Sequence, residues 1–272
     1  MPELPEVETT RRGIEPHVTG VRIEEVIVRR YDLRQPVSAG IGKLEGQVIL
    51  AVARRSKYLL LAIDDGTTLL IHLGMSGSLR VIDPAGVWKK HDHVGISLEN
   101  GKQLRFHDPR RFGLVLHLTE ADPMEHALLK SLGPEPLEDG LTAGYLHGIC
   151  QKRSAAIKLV IMDSKVVVGV GNIYASEALF RAGIRPQTPA NKLTNPRLAK
   201  LVAAIRAVLS DSIQEGGTTL RDFLNSDGEP GYFKQRLFVY ERKGEPCRVC
   251  ETPIQQAVLG QRSTYWCPQC QK

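Results

Sequence analysis

The sequence lacks the features that mark secreted and membrane-spanning chains. It has five cysteines in 272 residues, and four of them lie at or after position 247, which argues against a disulfide scaffold. No apolar run approaches the roughly 18 residues that a membrane-spanning helix needs. The N-terminus is acidic, unlike that of a signal peptide. These absences predict a soluble, cytoplasmic protein with no membrane partner.

The composition is that of a globular chain with a basic surface. A length of 272 residues suggests one large or two to three small domains, and 42% hydrophobic residues suffice for real cores. The net charge of +6 and the pI of about 9.1 favour an anionic partner without identifying it. We find no internal repeat and no low-complexity tract.

Residues 1–118 carry the signature of a helix followed by strands. The spacing of Val7, Ile14 and Val18 predicts a helix that ends by Gly20. From there on, apolar and polar residues alternate in short runs, as in half-buried strands. Two of the turns between these runs carry pairs that favour tight hairpins, Asp65-Gly66 and Asn100-Gly101. The pattern predicts a helix plus a β-sandwich or barrel.

From Pro123 onward the hydrophobic pattern is helical. The sequence Gly-Pro-Glu-Pro at 133–136 indicates a domain boundary, and residues 216–232 are typical of a long functional loop. The predicted helices are Pro123–Leu132, Thr142–Gln151, Ala155–Met162, Asn172–Ala182 and Pro196–Gln214.

Two Cys-x-x-Cys pairs near the C-terminus form the motif that is most specific without knowledge of any family. Cys247 and Cys250 are separated from Cys267 and Cys270 by residues 251–266, a spacing typical of a zinc ribbon. Four thiolates fill a tetrahedral zinc and leave no position for water, so the predicted metal is structural. A redox pair or chance cysteines would not explain why both pairs share one spacing. The fifth cysteine, Cys150, is predicted to be a buried apolar residue.

Three further signals are ambiguous on their own. The glycines before Asn172 could expose a helix N-terminus to an anion, but such a sequence is more often only a turn. Lys57 belongs to a basic stretch at a strand edge. His91 and His93 are two apart and would share one face of a strand, where they could be metal ligands or, for His93, a packing residue.

The first eight residues allow two interpretations. If the initiator Met is removed, Pro2 has a free secondary amine, with Glu3 beside it and Glu6 one helical turn on. An α-amino group with a pKa of about 8 is partly unprotonated near neutrality. It can attack a carbon and form an iminium, which retains its positive charge without a proton. Alternatively, the prolines and acids simply begin a helix, and the residues alone favour this second interpretation.

The stretch Pro-Glu-Leu-Pro-Glu-Val-Glu at 2–8 resembles the start of the bacterial formamidopyrimidine-DNA glycosylases, which act on 8-oxoguanine, and the similarity covers nearly the whole chain. The resemblance implies an α+β multidomain fold. We expect an N-terminal helix plus β-sandwich catalytic domain at 1–132. A helix–two-turns–helix domain with a lesion-recognition loop at 216–232 should occupy 133–235, and a zinc ribbon 236–272.

The resemblance also implies an activity. The chain would be a bifunctional DNA glycosylase and AP lyase that removes Fapy lesions and 8-oxoguanine opposite cytosine, through a Schiff base at Pro2 and β,δ-elimination. Glu3 would handle protons and Glu6 would hold the site. Lys57 would touch a phosphate and assist elimination, with Arg262 near the second cut. The expected partners are damaged double-stranded DNA and one structural Zn²⁺, for a monomer that works at the bacterial nucleoid.

Six DNA contacts are carried over from the family in the same way. The three phosphate contacts are His91, Arg153 and Asn172. The three residues that fill the space vacated by a flipped nucleotide are Met75, Arg110 and Phe112. Arg110 would pair with the orphaned cytosine. The family often has Lys where Arg153 stands, a departure that alters geometry more than charge. Read without the family, Met75 and Phe112 would be core residues, and His93 a packing residue.

Two rival functions remain at this point. Endonuclease VIII-type glycosylases use the same amine on oxidised pyrimidines, but their opening differs from that at Leu4–Glu8 and they lack a loop comparable to 216–232. A non-enzymatic zinc-ribbon DNA-binding protein would suit the basic charge and the four cysteines. It would leave Pro2 and Glu3 without a purpose.

Overall fold

The computed structural model describes residues 2–217 and 236–272, which belong to two compact units. Within the described part, the first unit contains the chain up to Lys130 together with residues 215–217. The second unit contains Ser131–Gln214 and the residues from Arg236 onward, so the helical region and the cysteine-rich region belong to one compact unit.

The described residues of the first unit form one α-helix, eight strands and two short 3₁₀ helices. Helix α1 covers Leu4–Val18, and the 3₁₀ helices cover Ala39–Leu44 and Pro123–Glu125. The strands are β1 (Val21–Val28), β2 (Val48–Arg55), β3 (Tyr58–Ile63), β4 (Thr68–His72), β5 (Ser78–Ile82), β6 (Asp92–Leu98), β7 (Gln103–His107) and β8 (Leu114–Leu118).

Helix α1 forms where the apolar spacing predicted it. Glu3 is its N-cap residue, and the Glu3 backbone N–H donates to Glu6 Oε2 at 2.8 Å, which satisfies one of the amide groups that a helix start leaves open. Val7 and Ile14 are fully buried against the sheet. The helix ends at Val18, and Gly20 has a φ of +77°, the left-handed conformation that glycine adopts without strain.

The eight strands pair antiparallel in the order β5-β7-β6-β1-β2-β3-β4-β8. Strand β1 pairs with β2 at Val21 and Arg22, and then with β6 from Ile23 to Val28, so it belongs to both halves of the sheet. Buried side chains from both halves and from α1 form a single hydrophobic cluster. The predicted helix plus β-sandwich is therefore confirmed. The turn after β3 has its glycine, Gly66, at a φ of +85°, as the Asp-Gly pair predicted.

The helix predicted over Pro123–Leu132 is wrong. Only Pro123–Glu125 is helical, as a 3₁₀ turn, and successive turns follow it. The Asp122 carboxylate accepts the Met124 N–H at 2.8 Å, and the His126 ring Nδ1 accepts the Leu128 N–H at 3.3 Å. Side chains that bind backbone donors two residues ahead compete with helical hydrogen bonds, so turns form where apolar spacing suggested a helix.

In the second unit, the elements found over 131–214 and 236–272 are four α-helices, a short 3₁₀ helix and a hairpin. The other predicted helices are confirmed, with small differences at their ends. None of the described helices is long and apolar enough to cross a membrane. The elements are α2 (Ala143–Cys150), α3 (Ile157–Met162), α4 (Asn172–Arg181), the 3₁₀ helix Ala190–Lys192, α5 (Asn195–Gln214), β9 (Gln255–Leu259) and β10 (Arg262–Trp266).

A buried carboxylate fastens the cysteine-rich region to helix α4. Glu177 accepts the backbone N–H groups of Phe238, Val239 and Tyr240, each at 2.9 Å. Burial raises the pKa of Glu177, and the three hydrogen bonds oppose that rise. Residues 238–240 lead into the first Cys-x-x-Cys pair, so this carboxylate helps to fix where the metal-binding region starts.

Candidate functional site

The start of α1 places two carboxyl groups next to Pro2. Pro2 is buried, Glu3 is 3% exposed and Glu6 is fully buried, linked to the Glu3 backbone by the hydrogen bond described above. Gly217 lies against Glu6, because a Cβ there would be 3.3 Å from the Glu6 Cγ and Oε1 atoms. The predicted recognition loop at 216–232 lies outside the described residues except for its first two glycines. Once Met1 is removed, the Pro2 amine lies beside two buried carboxyl groups that can hold and move protons.

Lys57 lies in the two-residue turn between β2 and β3, close to a histidine that sequence reasoning did not single out. The rings of Tyr58 and His72 are 5.0 Å apart. Burial, with the nearby positive charges of Lys57 and Arg34, lowers the pKa of His72 to about 4. The Gly74 N–H donates to His72 Nδ1 at 3.0 Å, so the neutral ring carries its proton on Nε2.

In the sequence, His72 is marked only by its place three residues before Met75. A histidine with an apolar neighbour is more often a core residue whose hydrogen bonds are satisfied. The neutrality of His72 at physiological pH depends on burial, which the fold creates and the sequence does not show. The structure makes it a neutral hydrogen-bond donor beside the Lys57 ammonium group.

Two glycine-containing turns bring Met75 and Phe112 together. The backbones touch so closely that a Cβ on Gly74 would be 2.5 Å from the Gly113 nitrogen. Both side chains line one small cavity of about 160 Å³, which Arg34 and His72 also line. The contact between the two turns depends on glycine at positions 74 and 113.

Phe112 and Arg110 are surface residues. Phe112 is 44% exposed, and the Arg110 guanidinium lies 5.2 Å from its ring centroid. The turn is pinned by the fully buried Asp108, whose carboxylate accepts the Gly113 N–H at 2.8 Å and the Arg110 N–H at 3.3 Å. Phe112 is therefore no core residue. It is a large apolar side chain held out on a rigid turn.

His91 and His93 occupy different environments. His93 is buried and its Nε2 lies 2.8 Å from the Asp108 carbonyl oxygen, in agreement with the packing role expected of it. His91 is half-buried just before β6, with its ring 5.9 Å from that of His107. Within the described ranges, the four cysteines are arranged to hold a metal ion and no group of histidines is.

In the second unit, two basic residues near α3 lie in different environments. Arg153 is partly exposed and pairs with Asp163, with Nη1 3.0 Å from Oδ2. Lys158, by contrast, is fully buried, and its Nζ donates to Asn172 Oδ1 at 2.6 Å and to Thr264 Oγ1 at 2.8 Å. Lys158 therefore fixes the Asn172 side chain and does not belong to a solvated helix face.

The same contacts join Asn172 to the hairpin that carries Arg262. Asn172 Nδ2 donates to the Ser263 carbonyl oxygen at 3.0 Å. Gly260 and Gln261 form the turn with φ values of +56° and +61°, and Arg262 is exposed at its end. The predicted phosphate contact Asn172 and the predicted second-cut residue Arg262 are thus brought to neighbouring positions.

The four cysteines are arranged to hold one metal ion. Their Sγ atoms all lie within 4.8 Å of one another, with 3.9 Å between Cys247 and Cys270 and 3.4 Å between Cys250 and Cys267. Sulfurs around a tetrahedral zinc are about 3.8 Å apart, given Zn–S bonds of about 2.3 Å. The residues fit one structural zinc ion, as predicted. Cys150 lies elsewhere and is fully buried, which raises the pKa of its thiol.

Comparison with known proteins agrees with this organisation. Residues 1–115 match the formamidopyrimidine-DNA glycosylase N-terminal domain, 132–224 the corresponding H2TH domain, and 244–272 the zinc finger found in FPG and IleRS. The formamidopyrimidine-DNA glycosylases of Methylococcus capsulatus and Escherichia coli O6:H1 are each 56% identical to this chain, with 100% of both sequences covered.

Solved structures are similar over the whole chain. The MutM (Fpg) protein of Thermus thermophilus has 40% identity and a TM-score of 0.89, covering 99% of this chain and 98% of its own. The Lactococcus lactis Fpg in complex with Fapy-dG-containing DNA has 31% identity and a TM-score of 0.91, covering 99% and 100%.

The fold and the cysteine site define an α+β protein that combines a β-sandwich, a helix–two-turns–helix region and a zinc finger. Full-length identity above one half narrows that class to a single family. The chain belongs to the formamidopyrimidine-DNA glycosylases.

Proposed function

We propose that this chain is a bifunctional DNA glycosylase and AP lyase of base excision repair, which removes Fapy lesions and 8-oxoguanine opposite cytosine. The observation that carries the proposal is the start of α1, where Pro2 stands beside the buried carboxyl groups of Glu3 and Glu6. Full-length relatives are named as formamidopyrimidine-DNA glycosylases, and Lactococcus lactis Fpg has been solved with DNA that contains Fapy-dG or an abasic site.

The proposed chemistry begins at the Pro2 nitrogen. The unprotonated amine attacks C1′, and the bond to the base breaks while Glu3 supplies and accepts protons at the sugar and the base. The C1′–O4′ bond then opens with protonation of O4′ and loss of the amine proton, which leaves an iminium between Pro2 and C1′. This iminium draws electrons from C2′, so that a C2′ proton can leave and the 3′ C–O bond breaks. A second elimination breaks the 5′ C–O bond. Lys57 assists proton transfer and Arg262 stands near the second elimination.

The DNA contacts are proposed on the same basis. His91, Arg153 and Asn172 hold phosphates, and Met75, Arg110 and Phe112 occupy the gap that a flipped nucleotide leaves. A large apolar side chain on a rigid turn suits this task, since it restacks the gap and offsets the cost of flipping. Asn172 is pre-oriented by Lys158, whereas Arg153 must share its guanidinium with Asp163.

We further propose a division of labour along the chain. Residues 1–132 form the catalytic β-sandwich domain, 133–235 the helix–two-turns–helix DNA-binding domain with the lesion-recognition loop, and 236–272 the zinc ribbon. One chain suffices for the reaction, so the protein acts as a monomer, which sedimentation with and without DNA would test. The bacterial sources of the relatives support action at the nucleoid within the cytoplasm.

Borohydride trapping tests the activity directly. The chain is incubated with duplexes that contain 8-oxoguanine opposite cytosine, thymine glycol opposite adenine, or no lesion. A covalent adduct that forms mainly on the 8-oxoguanine duplex is expected. Stronger trapping on thymine glycol would favour an endonuclease VIII-type enzyme, and DNA binding without any adduct would favour a non-enzymatic zinc-ribbon protein.

Arg110→Ala is expected to weaken recognition of the base opposite the lesion. The exposed guanidinium offers a planar array of donors that suits the acceptor edge of cytosine. Its loss should reduce the preference for cytosine over adenine by about 1–3 kcal/mol. Excision rates on the two duplexes give the preference. An unchanged ratio would place the readout of the opposite base on another residue.

Cys270→Ser is expected to abolish zinc binding and to weaken DNA binding. The Ser263 and Thr264 contacts to Asn172 and Lys158 depend on the hairpin that the metal holds. One lost charge-assisted phosphate contact lowers affinity by roughly 10-fold. Zinc content and DNA anisotropy measure the two effects.

Cys150→Ser is the matched control for this substitution. It changes the same atom in a buried cysteine outside the cluster and should retain one zinc ion. Normal DNA affinity in a zinc-free Cys270→Ser protein would contradict the structural role of the metal.

A further inference from the structure

A nearly buried ion pair connects α1 to strand β2. The side chains of Glu8 and Arg54 are 12% and 11% exposed, and Arg54 Nε lies 3.1 Å from Glu8 Oε2. Glu8 also receives hydrogen bonds from Arg11 and Arg12, which follow it on the same helix. Although burial alone would raise it, these hydrogen bonds and charges hold the pKa of Glu8 below its usual value, so the carboxylate is ionised.

A second nitrogen of the Arg54 guanidinium binds the turn that contains Lys57. Its Nη1 donates to the Ser56 carbonyl oxygen at 2.9 Å. Ser56 is buried and has a φ of +56°, a left-handed conformation that side chains other than glycine rarely adopt. Such a conformation persists only where its surroundings enforce it. The planar guanidinium can reach Glu8 and Ser56 together because its donors point in fixed directions.

These contacts form one continuous connection inside the first unit. It runs from the start of α1, with Pro2 and Glu3, through Glu8 and Arg54 to the turn that contains Lys57. A buried ion pair contributes little net stability compared with apolar packing, since desolvation offsets the attraction. The pair does, however, fix the geometry between two elements, because the carboxylate and the guanidinium each have few ways to satisfy all their hydrogen bonds.

We propose that Glu8 and Arg54 are positioning residues for the lyase reaction, which set Lys57 relative to Pro2 and Glu3. This inference rests on the proposed function and on the role given there to Lys57. Neither residue touches the substrate. Their effect acts through the Ser56 carbonyl and the conformation of the turn, so it should appear in the rate of the chemical step and much less in DNA affinity.

The test compares Arg54→Met with Arg12→Met. Both substitutions remove an arginine that pairs with Glu8. Arg12, however, is 58% exposed, and within the described part of the chain it bonds to Glu8 and not to β2 or the turn. The single-turnover rate constant of strand cleavage, which requires the elimination that Lys57 assists, is measured on duplexes with a preformed abasic site. Affinity is measured on a duplex with a tetrahydrofuran abasic analogue, which cannot form the iminium.

Arg54→Met should slow strand cleavage by about 30- to 100-fold, as expected for a displaced catalytic group, with affinity changed by less than about threefold. The fraction of molecules that react should remain full, whereas simple destabilisation would reduce that fraction and leave the rate constant unchanged. Arg12→Met should cleave the strand at a rate within about twofold of the wild type. Equal rate constants in the two variants would overturn the proposal.

A double substitution tests whether Arg54 acts through Lys57. If it does, Arg54→Met should slow strand cleavage little further in a Lys57→Ala background, because the group that it positions is already gone. Effects that multiply would overturn the proposed connection. A wild-type chain that never traps lesion DNA would instead refute the proposed function, and full activity of Lys57→Ala would refute the role given to Lys57.

Discussion

Blocking the Pro2 nitrogen is expected to abolish covalent trapping on both lesion and abasic DNA. Acetylation, or one residue left in front of Pro2, turns the amine into an amide whose nitrogen cannot attack C1′. Loss of a nucleophile removes the pathway that depends on it, so the rate should fall by roughly 10³-fold or more. Borohydride cross-linking of intact and blocked chains, with the N-terminus defined by mass spectrometry, measures the effect.

The control for the blocked chain is its affinity for DNA with an abasic analogue. That affinity should remain within severalfold, because the phosphate contacts are proposed on other residues. Undiminished cross-linking by a chain shown to retain a residue before Pro2 would exclude Pro2 as the nucleophile. A lysine would then have to be sought by mapping the cross-linked peptide.

Glu3→Gln should separate removal of the base from cleavage of the strand. Breaking the glycosidic bond needs proton transfer as charge moves onto the base and the ring oxygen, which suits a carboxyl group. An abasic site has already lost its base and offers an aldehyde, which an amine attacks with less help. Since a positioned proton donor contributes about 10²–10⁴-fold, excision of 8-oxoguanine should fall by that factor. Cleavage at preformed abasic sites should largely persist.

Both activities of Glu3→Gln must be measured on one preparation, so that misfolding cannot imitate the result. Glutamine retains the size of Glu3, and the Glu3 backbone N–H that binds Glu6 is unchanged. An equal fall in both activities would mean that Glu3 serves the attack by the amine itself. The division of labour between Pro2 and Glu3 would then be wrong.

Local patterns were sufficient where one short stretch determines the outcome. The spacing of Cys247, Cys250, Cys267 and Cys270 already specified a metal-binding ribbon, because ligand spacing and hairpin geometry are both local. Helix α1 was also predictable from a local pattern, because the apolar spacing and the N-cap residue Glu3 both indicate a helix over the same residues. The family resemblance then supplied the order of the parts, which no periodicity could have given.

Residues whose roles depend on distant partners could not be found in this way. Lys158 looks like one more basic residue in sequence, yet the hairpin more than 100 positions later buries its ammonium group. The neutrality of His72 likewise depends on burial and on a lysine from another turn. Between Pro123 and Leu132, apolar spacing predicted a helix, and hydrogen bonds from two side chains decided otherwise.

Thermodynamic linkage gives the Lys158 contacts a further meaning. Asn172 is held by a cation whose other partner, Thr264, lies on the zinc-bound hairpin. If bound zinc raises the affinity for DNA through the contact between Asn172 and a phosphate, bound DNA must raise the affinity for zinc by the same factor, because coupling between two ligands is reciprocal. Under zinc limitation, chains bound to DNA would then retain their zinc longer than chains without DNA.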